Sequence, residues 1–182
     1  MTNTTLAQAQ RDLRGGYCAG GPGVLASALA WGCAALVAAF VSPRQAVIAL
    51  FVGGMLIYPV GLLIEKLLGG SGKHEPGNPM AVLAMESTIL MLLCLPIAYV
   101  VSLYRLDWFF PAMLLIIGGR YLLFSTMYGL RTYWLLGGVL AIAGFVSVAV
   151  MASPAAVALV GSLIEFGFAI HLTRMGRREP VA

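Results

Sequence analysis

The sequence predicts an all-α membrane protein, a compact bundle of six transmembrane helices forming a single domain over residues 1–182. Three observations predict it. Sixty per cent of the residues are hydrophobic and 10% are charged, against about 25% charged in an ordinary soluble domain. Mean hydropathy is +0.94, and a soluble domain of this size leaves about a third of its chain surface in water. The apolar residues also fall into six runs of the length a membrane-crossing helix needs, about 20 residues. The runs do not alternate and are twice the ~10 residues of a barrel strand. Only a helix satisfies every backbone group within such a run. A soluble enzyme, a disordered chain and a disulfide scaffold are excluded.

The first span is read over residues 22–41, closed by Ser42-Pro43. It lacks a small-x-small cleavage site, so it is expected to be a retained helix and not a signal peptide. The second is read over 46–68, closed by Gly69-Gly70-Ser71-Gly72, and the third over 80–103, opened by Asn78-Pro79. The fourth covers 109–129, the fifth 133–152 and the sixth 154–172, and together the spans take about two-thirds of the chain. Residues 1–19 and 173–182 are left as short, frayed cytoplasmic tails. Pro59 and Pro96 lie inside the second and third spans, where each removes a backbone donor.

Lys and Arg divide unequally between the two sides. One side holds Arg11, Arg14, Lys66, Lys73, Arg131, Arg174, Arg177 and Arg178; the other holds Arg44 and Arg105. The positive-inside rule then places both termini in the cytoplasm. The net charge of +4 is accounted for by this bias and by anionic lipid, with no need of nucleic acid. Tyr104, Trp108 and Tyr133-Trp134 stand at span ends, as interfacial anchors do.

The second, fourth and sixth spans share a pattern. Each has a small pair seven residues after an aligned start: Gly53-Gly54 after Ala46, Gly118-Gly119 after Pro111, Gly161-Ser162 after Pro154. This is consistent with three helical hairpins in a 2+2+2 repeat, or with the common composition of apolar helices. Gly53, Gly54, Gly118, Gly119 and Gly161 are expected at close helix contacts, since small residues let backbones approach. Gly137, Gly138 and Gly144 offer the same on the fifth span.

Three charges lie within spans, where each costs roughly 3 kcal/mol or more unless paired or functional. Arg120 and Glu165 each lie 11 residues into their spans, about 17 Å deep. Glu86 lies about 10 Å deep from the opposite side. Arg120 can pair with Glu86 or Glu165 as a structural lock. Alternatively, two acids and one base form a polar site with a spare carboxylate for a cation or proton. Glu65 and Lys66 are expected to reach headgroups, and His171 to be interfacial. Ser87, Thr88, Ser125 and Thr126 can line a cavity or bond their own helices.

The connection from Gly69 to Pro79 fails the phosphate-loop pattern, with Leu67 and His74 at two required positions. Lys73, His74 and Glu75 in it are candidates for gating or partner contact. Tyr17-Cys-Ala-Gly-Gly-Pro-Gly23 reads as an elbow into the first span. Cys18, Cys33 and Cys94 have no C-x-x-C spacing, so no metal site or disulfide is expected. No cofactor is implied and no catalytic residue is recognised.

Gly53-Gly-Met-Leu-Ile-Tyr-Pro59, Ser71-Gly-Lys-His-Glu-Pro-Gly-Asn-Pro79 and Trp108-Phe-Phe-Pro-Ala-Met-Leu-Leu-Ile-Ile-Gly-Gly-Arg-Tyr121 resemble an uncharacterised family of small bacterial polytopic membrane proteins. The resemblance runs from Gly20 to Gly144. It implies six helices and the bacterial inner membrane, and brings no activity or site residues. The residues themselves favour a small transporter or channel for an ion or small solute, with its site at Arg120, Glu86 and Glu165. The alternative is a structural or accessory subunit. The expected partners are the lipid bilayer and either a second copy or another membrane protein.

Overall fold

The computed structural model describes residues 5–177, so the Arg178 counted in the charge bias lies outside the described residues. Seven α-helices follow one another: α1 (Leu6–Gly16), α2 (Gly21–Phe40), α3 (Pro43–Leu67), α4 (Pro79–Tyr104), α5 (Phe109–Tyr128), α6 (Thr132–Ala149) and α7 (Pro154–Gly176). No strand occurs among the described residues. The helices α2 to α7 are long and apolar enough to cross a membrane. They are the six expected spans, and the protein is a multi-pass membrane protein. The side carrying α1 and the C-terminal end of α7 is called the basic side below, and the other the far side.

Three spans begin with the same device. The side chains of Ser42, Asn78 and Ser153 accept from the backbone N–H of Gln45, Met80 and Ala156, and proline follows each cap. The cap satisfies an orphan donor, and proline occupies a position where its missing N–H costs nothing. The prolines within the spans, Pro59 and Pro96, leave α3 and α4 continuous.

The hairpin pairs α2–α3, α4–α5 and α6–α7 are each in contact, but the most extensive interface joins α2 to α7, and α5 packs more fully on α6 than on α4. Trp31, Phe109, Phe110, Leu114, Leu136 and Leu140 are wholly enclosed between these helices. Rings cross between spans, Trp31 to Phe110 at 6.1 Å and Phe51 to Phe109 at 5.6 Å. By contrast, α4 has α5 as its one extensive neighbour among the spans.

In the glycine pairs the two members do not act together. A Cβ on Gly53 would lie 2.8 Å from Ala30 of α2, and one on Gly161 would lie 2.9 Å from Leu114 and 3.1 Å from Trp31. Gly118 and Gly137 face each other, each blocked by the other's carbonyl oxygen. Gly54, Gly119 and Gly138 meet nothing within the chain, so none of the three makes the expected close helix contact there. One helical position is about 100° of rotation, so of two adjacent glycines only one can point at a given neighbour.

Gly137→Ala places its new Cβ 2.5 Å from the Gly118 oxygen, against a backbone that cannot swing away. We expect a loss of about 1–3 kcal/mol, read as a lower midpoint of unfolding in detergent. Gly138→Ala, one residue on and facing open space, is expected to leave the midpoint unchanged.

Candidate functional site

Glu165 sits at the middle of α7, and its side chain is completely enclosed. Its Oε1 accepts a hydrogen bond from Tyr121 Oη of α5 at 3.1 Å. Its Oε2 is buried and has no partner among the described residues. Ser27 of α2 lies beside both groups. One turn earlier, Gly161 lets Trp31 and Leu114 close over α7, and the Trp31 indole N–H is also buried without a partner. Three helices therefore converge on one carboxyl group, with the Tyr121 hydroxyl bonded to Oε1, the Ser27 hydroxyl nearby, and no bond within hydrogen-bonding geometry at Oε2. A buried polar atom left unpaired costs about 1–3 kcal/mol.

On the basic side of Glu165 lies a layer of aromatic rings. Tyr121 stacks on Tyr133 at 5.9 Å and Tyr133 on Tyr128 at 5.4 Å, with Phe124 edge-on to all three. Tyr133 is not the interfacial anchor that its position suggested. It is fully buried, and its hydroxyl donates to the Ala19 carbonyl at 2.8 Å. Trp134, Trp108 and Tyr104 are exposed, as anchors are.

Arg120 turns away from Glu165, towards α4. Its Nη2 donates to Thr88 Oγ1 at 2.9 Å, its Nη1 to Met91 Sδ at 3.4 Å, and the guanidinium lies 5.1 Å from the Phe124 ring centroid. The Thr88 hydroxyl spends its own proton on Ala84 O. The Arg120 Nε is buried without a partner, and no ion pair to Arg120 forms among the described residues. Glu86 does not join it. That side chain is exposed, two residues from Thr88 and so about 160° round α4. The structure thus separates the three expected site residues: Glu165 faces the core, Arg120 the α4–α5 seam, and Glu86 the outer surface.

The N-terminal segment, expected as a frayed tail, is helix α1 from Leu6. Thr5 and Gln8 form a reciprocal capping box at its start, while Ala9 and Leu13 bury one stripe of it. Gln10 Nε2 donates to Thr126 O at 2.7 Å and Arg14 Nη1 to Tyr128 O at 2.6 Å. These are orphan carbonyls of the last turn of α5, which ends at the left-handed Gly129, and a cation there also complements the helix dipole. On its other flank, Asp12 Oδ2 accepts from Glu75 N at 2.9 Å and from Asn78 Nδ2 at 2.6 Å. Gly72 N donates to Gly16 O at 2.9 Å, and Tyr17 Oη and His74 Nδ1 are hydrogen-bonded at 2.9 Å. Partial burial pushes the Tyr17 phenol above its usual value. The Lys73, His74 and Glu75 side chains are exposed, but their backbone is pinned by α1.

One further group departs from expectation. Glu65 does not reach outward: it is 2% exposed, folded under the Gly69–Gly72 turn, and its Oε1 has no partner among the described residues. Lys66 beside it is exposed, as is His171. The elbow before α2 is a buried turn in which Cys18 (φ 42°), Ala19 (φ 55°) and Gly20 (φ 78°) are all left-handed. Such a conformation is rare for a residue with a Cβ. The Tyr133 hydroxyl on Ala19 O helps to hold it.

Replacing Asp12 by Ala removes one carboxylate that serves two donors. Hydrogen exchange of the amides in 72–78 is expected to quicken about tenfold or more, the equivalent of about 1.5–3 kcal/mol for a charged acceptor. Exchange at the centre of α7 is expected to stay as in the wild type.

Comparison with known proteins gives one family. Residues 6–175 match the family of unknown function DUF7010. No curated protein and no solved structure matches the chain. The match runs from the first turn of α1 to the last turn of α7, and so takes in the docked helix as well as the six spans. The chain belongs to the DUF7010 family.

Proposed function

We propose that this protein is a small transporter or channel that passes a proton or a small cation by way of Glu165. The observation that carries the reading is the enclosed carboxyl at mid-span with one oxygen unengaged. A carboxyl group in hydrocarbon is expensive unless its charge or its proton is used. Packing alone is served better by an apolar side chain of the same size. Tyr121 then fixes the carboxyl by its hydroxyl, and Arg120, the preceding residue of α5, raises the positive potential near it without neutralising it. The tyrosine layer between Glu165 and the basic side supplies hydroxyls and ring faces along that half of the span. Under this reading the protein resides in the bacterial inner membrane with both termini in the cytoplasm, in accord with the bias of basic residues towards one side.

The alternative, a structural or accessory subunit of a membrane complex, is favoured by one observation, the scant packing of α4 within the chain. The two readings separate in a flux assay. Purified protein in liposomes with an entrapped pH indicator, and with sodium or potassium gradients in parallel, is expected to show flux above empty liposomes. Glu165→Gln keeps the volume and removes the ionisable oxygen. We expect it to cut that flux by on the order of a hundredfold, the scale of losing a proton-transfer group, with an unchanged elution volume. Flux that persists in Glu165→Gln removes the reading. No flux in wild type, together with loss of an associated protein on Arg120→Ala, favours the subunit.

A further inference from the structure

Arg120 and Glu86 present matching defects. Arg120 is a half-buried cation at mid-span with a hydroxyl, a thioether and a ring face as its partners, and with Nε unsatisfied. Glu86 is an anion on the exposed side of a span, about 10 Å from the basic-side end of α4. A carboxylate turned to lipid and an arginine without an anion are each worth roughly 2.5–3.5 kcal/mol of insertion penalty at depth. We propose that a second copy of this chain closes both defects. In a two-fold dimer seated on α4, Glu86 of each copy pairs with Arg120 of the other.

The geometry allows this in one arrangement. On α4, Thr88, which marks the Arg120 side, and Glu86 lie about 160° apart. Between them runs the stripe Met85, Ile89, Leu92, Pro96, Tyr99 and Leu103, all exposed. Its spacing alternates four and three, which is the seam of a left-handed helix pair. A two-fold axis along the membrane normal beside this stripe sets the two α4 helices parallel. Each copy then has Arg120 on one flank of the seam and Glu86 on the other. The two-fold rotation exchanges the flanks, so Glu86 of one copy falls on the same flank as Arg120 of its partner. That is the self-complementary patch an isologous dimer requires. In height, the guanidinium sits at the level of Thr88 to Met91. Glu86 is two to five residues lower, about 3–8 Å along the axis, a span that a long arginine and a glutamate can close.

Exposed apolar surface by itself argues nothing in a membrane protein, where lipid covers it. The argument rests on two opposite charges left over on the same helix–helix seam, at heights that match. It explains why α4, a 26-residue helix, has one extensive neighbour within the chain. It does not depend on whether anything passes Glu165, which lies on the other side of α5.

The test is cysteine cross-linking in native membranes, on a chain with Cys33 and Cys94 replaced by serine and Cys18, which is buried, retained. Ile89→Cys on the stripe is expected to give a disulfide-linked dimer under copper–phenanthroline. Leu90→Cys, also exposed but about 100° further round α4, is not. Adding Glu86→Gln to Ile89→Cys is expected to reduce the cross-link at least tenfold. Exchanging the charges, Glu86→Arg with Arg120→Glu, is expected to restore it. Glu165→Gln is expected to cross-link as the wild type does, so a failure of the transport reading stays separate from a failure of this one. A monomer by subunit counting in liposomes overturns the dimer. Equal cross-linking at 89 and 90, or a cross-link indifferent to Glu86→Gln, overturns the pairing.

Discussion

Hydrocarbon supplies no hydrogen-bond partners, and the rest of this structure depends on that constraint. Every polar group between the two faces of the bilayer has to be answered by the protein or left as a cost. Most are answered locally. Ser87, Thr88, Ser102 and Ser147 donate to carbonyls three or four residues back on their own helices, and Ser162 donates across to Ala28 O of α2. Against that background the unanswered atoms stand out: Glu165 Oε2, Glu65 Oε1, Arg120 Nε and the Trp31 indole N–H. Two of the four lie within one turn of Gly161, where α2, α5 and α7 meet.

The basic side obeys the same constraint by different means. The ends of α3, α5 and α7 all present orphan carbonyls there, beside a long polar connection. Helix α1 caps the last turn of α5 through Gln10 and Arg14, and its Asp12 holds the 72–78 segment. The left-handed run at Cys18, Ala19 and Gly20 turns the chain from α1 into α2 within three residues. A more gradual turn would carry α1 away from the carbonyls it covers. The strain of that turn and the cap it allows form one unit.

How far the sequence discloses this structure varies with the physics. The six spans are legible because length and apolarity suffice to define a membrane helix, and Asn78-Pro79 marks one of their starts, whereas Ser42-Pro43, read as the end of the first span, also caps the second. Glu165 and Arg120 are legible as charges at mid-run. Their directions are not, because in a membrane the core side and the lipid side of a helix are equally apolar, and no stripe shows which way a residue points. That is why Glu86 is grouped with Arg120 by depth and then found on the other side of α4. Tyr121 and Ser27 carry no mark that sets them apart from other hydroxyls. Tyr133 was misread because position alone cannot separate an anchor from a buried donor. Helix α1 was missed although its sign was present: Thr5 and Gln8 have capping-box spacing, and Ala9 and Leu13 are four apart.

The docking of α1 also has a consequence in time. Its partners on α5 lie 116 and 114 residues further along the chain, and its partner Glu75 lies 63 residues further. During synthesis α1 therefore leaves the ribosome before anything it binds exists. It must wait, with Ala9 and Leu13 uncovered, until four spans have been made, and a short amphipathic helix can do that lying on the membrane surface. The segment made earliest among the described residues is then among the last to be seated. Its arrival latches the basic side only when α5 is in place, so a chain halted before α5 would keep α1 unfastened.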